Sequence, residues 1–343
     1  MNHKVAFTFS DGKTKFFLVP GTEIVLDAAI RNGINIPIDC REGVCATCVG
    51  QCESGIYTMD YVDEDALSSQ DIEDGKILTC QTRVQSDATF YFDYDSTLCT
   101  QATTEPLQGV VKSVERVSPS TAVIVIKTSD TVKRIDFLPG QYARINVPGT
   151  DAWRAYSFAS LPNERNELRF IVRLLSSGVM SDYVRDQCSV GDEIRFEAPF
   201  GAFYLRQVKR PIVMVAGGTG LSAFMGMLDH LVHEKNYSSV PAVHLYHGVR
   251  IPEDLCELDR IENYVNQLPG FRFFPVVSRS SEDWDGRRGY VTEHFADNHS
   301  TDEEADVYVC GAPSMVESVK EWFSLNQLSA KNIYYEKFTK SAN

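Results

Sequence analysis

At 343 residues the chain is long for a single core, so two or three domains are expected. Hydrophobic residues at 43% and charged residues at 23% are ordinary for a globular protein in water, and no uninterrupted apolar run approaches the ~18 residues of a membrane span. A net charge of −14 argues against nucleic acid as a partner, because phosphate is repelled.

The N-terminal stretch MNHKVAFTFSDGKTKFF alternates apolar and polar residues, a strand pattern rather than a basic segment followed by an apolar export signal. VAFTF and TKFFLV predict two strands joined by a hairpin at Ser10–Lys13, and EIVLDAAIRNG predicts a helix. CREGVCATC follows. Nine cysteines, an odd number clustered toward one end with no export signal, fit a reducing cytoplasm and thiols used for metal or redox chemistry. Structural zinc takes its thiolates as two close pairs. Here Cys40, Cys45 and Cys48 lie in one loop and Cys80 stands alone downstream, the C-x4-C-x2-C…C spacing of a plant-type [2Fe–2S] cluster. Gly43 and Ala46 let loop amides turn toward the cluster sulfides. Cys52 is read as a buried thiol beside the loop, since Cys80 supplies the fourth ligand. Residues 1–100 hold 16 acidic side chains against 7 basic ones, and Thr58–Asp74 has seven carboxylates and no cation. This run is either a solvated face or a docking face for a basic partner.

STLCTQATTEPL is read as a linker. LQGVVKSVERV, TAVIVIKTS, QYARINV, RAYSFA, ELRFIVRLL and DEIRFEA then predict six strands of a closed antiparallel barrel. In RAYSFAS an arginine can hold a pyrophosphate, a tyrosine can pack on a planar ring and a hydroxyl can reach a ring nitrogen. Without a ligand, an exposed strand explains the same residues. Gly178–Ser181 marks a helix start whose free amides suit a pyrophosphate.

From Pro211 the pattern alternates strand and helix: PIVMVAGG, LSAFMGMLDHLVHE, VHLYHGV, FRFFPVVS and DVYVCGA predict a doubly wound α/β sheet. VAGGTGLSAF follows a strand and opens a helix, so Gly217, Gly218, Thr219 and Gly220 can meet a dinucleotide phosphate, although the run is not G-x-G-x-x-G. Cys310 taken alone is a small apolar residue at a strand end, and Phe338 a member of a terminal core strand. His230 and His233 lie three apart on a helix with no third ligand, a solvated face.

The cysteine loop resembles the plant-type ferredoxin family over residues 3–95, an α+β ferredoxin-like (β-grasp) fold. The R-x-Y-S strand in a barrel, followed by an α/β domain, resembles the ferredoxin–NADP reductase superfamily. That resemblance implies FAD held by Arg154, Tyr156 and Ser157, with Arg173 and Gly178, Val179, Met180 and Ser181 at its diphosphate. It also implies NADH at Gly217–Gly220, Arg250, Cys310, Gly311 and Pro313. Ser157, Cys310, Glu336 and Phe338 are implied at the hydride-transfer site, with Phe338 covering the flavin. The superfamily more often has proline where this chain has Ala223, and the tail Thr339–Asn343 leaves the aromatic ring short of the terminus.

Together the three parts resemble the reductase components of two-component aromatic-ring dioxygenases of the benzoate, toluate and anthranilate type. The resemblance implies a ferredoxin domain over 1–100, a flavin barrel over 101–206 and a nicotinamide domain over 207–343. Electrons then run from NADH through FAD and the [2Fe–2S] cluster to a terminal oxygenase in the cytoplasm, with no membrane. Reductases of di-iron monooxygenases and deoxysugar dehydrases share this domain order. A four-thiolate zinc module fused to a nucleotide-binding sensor is the non-enzymatic alternative. For the coenzyme, Arg250, Ser278 and Arg279 can meet a 2′-phosphate, whereas Glu253 and Asp254 disfavour one.

Overall fold

A computed structural model describes residues 1–99, 106–129, 134–163, 165–233, 241–280, 282–296, 304–326 and 330–339. The chain divides into two compact units, Met1–Thr104 with Phe200–Ala202, and Glu105–Pro199 with Phe203–Asn343. The expected linker lies in part outside the described residues. Among the described residues no helix is long and apolar enough to cross a membrane.

In the first unit, β1 (Asn2–Phe9) and β2 (Thr14–Pro20) form the hairpin at Ser10–Lys13. Alternation places Val5, Phe7 and Phe9 inward, where Phe7 meets Phe92 edge-on with ring centroids 4.7 Å apart. α1 (Val25–Arg31) buries Val25, Leu26, Ala28 and Ala29. β3 (Val49–Ser54), β4 (Tyr57–Met59), α2 (Ser69–Glu73), β5 (Lys76–Leu78), β6 (Thr82–Val84) and β7 (Ala88–Phe92) follow. The main sheet runs β2-β1-β7-β3-β5, with β1 and β7 parallel, while β4 and β6 pair separately. The cysteine loop therefore lies between α1 and β3.

The second unit opens with β8 (Leu107–Ser118), β9 (Thr121–Thr128), β10 (Tyr142–Asn146), β11 (Trp153–Ser157), β12 (Glu167–Arg173), α3 (Val179–Asp186) and β13 (Glu193–Phe200). These six strands form one sheet in the order β11-β10-β13-β8-β9-β12, and an antiparallel bridge from Phe158 to Phe170 joins its two ends into the expected barrel. Val111, Ile124, Ile126, Ala143, Ile145 and Phe170 fill it. Next come β14 (Ile212–Gly217), α4 (Leu221–His233), β15 (Val243–Val249), α5 (Leu258–Gln267), β16 (Phe271–Val277), β17 (Arg287–Arg288), β18 (Ala305–Gly311), α6 (Pro313–Leu325) and β19 (Ala330–Lys337). This sheet is parallel throughout, in the order β17-β16-β15-β14-β18-β19. The order reverses between β14 and β18. In open parallel sheets, ligands bind at the carboxyl ends of the strands at such a switch point.

Candidate functional site

In the first unit the four predicted thiols form two hydrogen-bonded pairs, Cys45 with Cys40 and Cys48 with Cys80. Among the described residues no three His, Cys, Asp or Glu side chains are gathered into one metal-sized cluster, so the four thiols stand as two pairs rather than as a closed set. The Cys45 thiol and the loop amides of Glu42, Val44 and Cys45 stabilise Cys40 as a thiolate, against its burial, and bring its pKa down to about 5. Cys45 is pushed up by serving Cys40 and by burial. In the same way Cys48 is pushed up and Cys80 lowered, with the Gly43 amide and the Gln81 side chain also directed at the Cys80 sulfur. In each pair one thiol is lowered at the other's expense, and several backbone N–H groups point at sulfur, the hydrogen bonding that tunes iron–sulfur clusters.

Residue 43 must be glycine. Its φ is 80°, and a Cβ there would stand 2.5 Å from the Tyr61 carbonyl oxygen. Cys52 stands apart from the set on β3, pushed up by burial, its thiol donating to the Ser54 carbonyl at 3.5 Å.

The acidic run begins against this loop. Asp63 N donates to Gly43 O at 3.0 Å, and Gln81 links the two, donating to Arg41 O and accepting from Tyr61 N. Its seven carboxylates divide by role. Asp60 binds Arg83, Asp63 accepts from Tyr61 Oη and Asp65 N, and buried Asp71 caps α2 and pairs with Lys76, whereas Glu64, Asp65, Glu73 and Asp74 are exposed.

In the second unit the switch point brings most of the remaining predicted residues together. β14 runs into Gly217–Gly220 and β18 into Gly311, and a Cβ built on Gly311 would lie 3.1 Å from Gly217 Cα. Gly220 lies against β18 so closely that a Cβ would stand 2.1 Å from Cys310 O. Pro313 opens α6 at the same end of the sheet.

Cys310 is fully buried and its thiol is pushed up by desolvation and by Glu336, its register partner on β19. Ser157, at the end of β11, donates to Glu336 Oε2 at 3.2 Å, so barrel and sheet meet here through a hydroxyl and a carboxylate. Ser222 at the start of α4 donates to the Ser157 carbonyl at 2.7 Å. Phe338 N donates to Gly311 O at 2.8 Å, and the Phe338 ring is 38% exposed, which leaves a face free to cover a ligand. A Cβ on Gly218 would lie 3.1 Å from Arg173 Nη1, so this guanidinium also reaches the glycine turn.

Four other expected residues, Arg154, Tyr156, Gly178 and Ser181, have neighbours within the barrel half of the unit. Tyr156 opposes Ala143 and lines a small apolar cavity inside the barrel with Met180 and Tyr183. Arg154 donates to the adjacent Trp153 carbonyl at 2.8 Å. At the head of α3, Gly178 N donates to Asp182 Oδ2 at 3.2 Å, while the Ser181 hydroxyl accepts from Leu175 N and donates to Arg173 O, tying the helix start to the end of β12. On the coenzyme side, Arg250 accepts from Arg279 N through its carbonyl, and buried Asp254 takes the Ser120 hydroxyl.

His247 was not anticipated. Its ring is fully buried, Nε2 sits 3.0 Å from Gly218 O, Nδ1 has no partner among the described residues, and desolvation drives its pKa down to about 4. Neutral, it donates to the carbonyl of the glycine turn and fixes the plane of the following amide. YHGVR contains no spacing that would have revealed it.

Three family descriptions match in chain order: 2Fe-2S iron-sulfur cluster binding domain over residues 8–85, oxidoreductase FAD-binding domain over 108–204, and oxidoreductase NAD-binding domain over 214–321. The chain is 51% identical over 341 residues to the anthranilate 1,2-dioxygenase electron transfer component of Acinetobacter baylyi, covering 99% of this chain and 98% of that one. It belongs to the electron-transfer components of aromatic-ring dioxygenases. The toluate 1,2-dioxygenase electron transfer component of Pseudomonas putida is 39% identical, with complete coverage of both chains. A cytochrome P450 reductase from Amycolatopsis shares the whole architecture, with a TM-score of 0.72 at 28% identity over 98% of this chain and all of that one.

As a dioxygenase electron-transfer component, the chain is an oxidoreductase that carries electrons from a nicotinamide through FAD and a [2Fe–2S] cluster. Its residues fit those groups. Two thiol pairs, with backbone amides directed at Cys40 and Cys80, suit a thiolate-bound cluster. At the switch point Gly217, Gly220 and Gly311 pack main chain against main chain, with Met315 Sδ 2.6 Å from where a Gly217 Cβ would stand, the close helix–strand packing that glycines give a dinucleotide-binding turn.

Proposed function

We propose that this protein oxidises NADH in preference to NADPH and reduces the terminal oxygenase of an aromatic-carboxylate dioxygenase in the cytoplasm. Its ferredoxin, flavin and nicotinamide domains are assigned to residues 1–100, 101–206 and 207–343. When bound, FAD accepts a hydride's two electrons and releases them singly to the cluster. Cys40, Cys45, Cys48 and Cys80 hold the cluster, and Arg154, Tyr156, Ser157, Arg173 and the Gly178–Ser181 turn hold FAD. The observation that carries the reading is the Ser157–Glu336 hydrogen bond beside Cys310 at the switch point. It supports the reading because a barrel hydroxyl and a carboxylate of the parallel sheet meet at the switch point, where ligands of such sheets bind. Ser157 orients the flavin, Glu336 holds Ser157 and can relay a proton, and Phe338 shields the ring from water.

One feature supports NADH: Glu253 is exposed in the loop after β15, where a carboxylate disfavours a 2′-phosphate. The nine free cysteines suit a reducing compartment. The exposed carboxylates beside the cluster loop support charge-steered docking of the oxygenase. Comparing kcat/KM for NADH and NADPH, with the oxygenases of anthranilate, benzoate and toluate as acceptors, tests the reading. A preference for NADPH, or reduction of none of the three oxygenases, overturns it.

A further inference from the structure

We propose that Arg260, Glu257 and Arg169 form a positioning clamp that sets Ser157 against Glu336. The proposal rests on the hydride-transfer site assigned above. Glu257 precedes α5 with a left-handed backbone at φ 59°, unusual for a non-glycine residue and held only where surroundings enforce it. Its side chain is 3% exposed and takes two guanidinium groups, Arg169 Nη2 on Oε1 at 2.6 Å and Arg260 Nη1 on Oε2 at 2.8 Å. Arg169 belongs to the barrel and Arg260 to α5. Arg260 also donates to the Ala159 carbonyl at 3.1 Å, while Ala159 N donates to Arg169 O at 2.8 Å.

The contacts close a circuit: Ala159, Arg260, Glu257, Arg169 and back to Ala159. Asp229 and Tyr264 complete it, with Arg260 Nη2 2.9 Å from Asp229 Oδ2 and Tyr264 Oη 2.5 Å from Oδ1. Two cations thus face two carboxylates, and neither charge is left alone in the interior.

Ala159 lies two residues beyond Ser157. The same strand end is held by Ser222 on the Ser157 carbonyl, and α4 packs so near that a Cβ on Gly226 would lie 3.2 Å from Phe158 O. The Ser157 hydroxyl is therefore placed by a strand end whose carbonyl two residues on, that of Ala159, is fixed by a planar, fork-shaped donor. A lysine at 260 offers one charge but not the several fixed directions. The general sensitivity of rate to small misplacements makes the expected slowing roughly ten- to a hundredfold.

The test uses full-length, FAD-loaded Arg260→Lys and Glu257→Gln proteins, with Arg169→Gln as the variant that removes only the barrel arm if either of those fails to fold. Hydrogen exchange of the Ser157–Ser160 amides, melting temperature, NADH affinity and stopped-flow bleaching of the flavin by NADH are measured together. The clamp predicts faster exchange at Ser157–Ser160 and at least tenfold slower bleaching, with NADH affinity within twofold of the parent. A lower melting temperature with parental exchange and bleaching would mean that the network only joins the domains, and would overturn the proposal. Ser157→Ala separates the layers. If it bleaches at the parental rate, the assigned site is wrong and the clamp falls with it. If it is slow while the clamp variants are not, the clamp alone fails.

Discussion

Replacing Gly220 by alanine tests the switch-point geometry with the smallest possible perturbation. The added Cβ would lie 2.1 Å from Cys310 O and 2.7 Å from Cys310 C, against an ordinary contact of about 3.4 Å or more. The obstacle is main chain of β18 rather than the end of a flexible side chain, so about an ångström of backbone movement is needed. Overpacking costs of 1–3 kcal/mol are usual, and a rigid neighbour puts this one near about 3 kcal/mol. At roughly 2–4 °C per kcal/mol for a unit of this size, Tm should fall by about 6–12 °C. Gly218→Ala is the control. It meets only Arg173 Nη1 at 3.1 Å, and its cost is the left-handed backbone at φ 53°, about 1 kcal/mol. Because β18 carries Cys310 and Gly311, Gly220→Ala should also raise KM for NADH roughly tenfold with FAD retained. Thermal unfolding followed by flavin fluorescence, with steady-state dye reduction, measures both. A Gly220→Ala protein melting within about 1 °C of its parent would refute the reasoning.

Cys80→Ala should lose iron and acid-labile sulfide yet keep FAD and NADH-to-dye activity, whereas Cys52→Ala should keep all of them; the reverse pattern in a metal assay would reassign the fourth ligand. Neutralising exposed Glu64 and Asp65, and sparing Asp63, which braces the loop, should lower the oxygenase reduction rate at low salt and flatten its salt dependence, since such charges are screened within about 8 Å at physiological ionic strength. An unchanged stopped-flow rate and salt slope would leave the run as a solvated face. His247 titrates near 4 when folded and near 6.5 when unfolded, so the unfolded chain binds the extra proton and stability falls as pH drops from about 6.5 toward 4, by at most about 3 kcal/mol. His247→Gln should remove that part of the slope in urea unfolding at pH 7 and pH 4.5; an unaltered slope would show that the ring is not held neutral by burial.

The fold was legible wherever the hydrophobic period was long. All six barrel strands and the glycine turn after β14 are visible as runs, because each buries a continuous face. The three-residue strands β4 and β6 carry no period, and only their mutual pairing creates them. Among site residues, the cysteines and the glycines announce themselves because spacing and backbone freedom are local properties. Asp254 and Glu257 do not. The sequence suggested that Asp254 faces the coenzyme, yet Ser120 takes it, and Glu257 finds its two arginines 88 residues upstream and three downstream. The position of the acidic run against Gly43 is likewise a tertiary fact, set by main-chain bonds that any side chains could accompany.

The most direct test of the electron path is anaerobic stopped-flow mixing of the purified protein with NADH, recording the full visible spectrum. The account predicts that the flavin band bleaches first and the iron–sulfur band afterwards, and that Cys80→Ala shows only the first phase at an unchanged rate. Bleaching of the cluster before the flavin, or a parental protein with no iron–sulfur absorption at all, would contradict it.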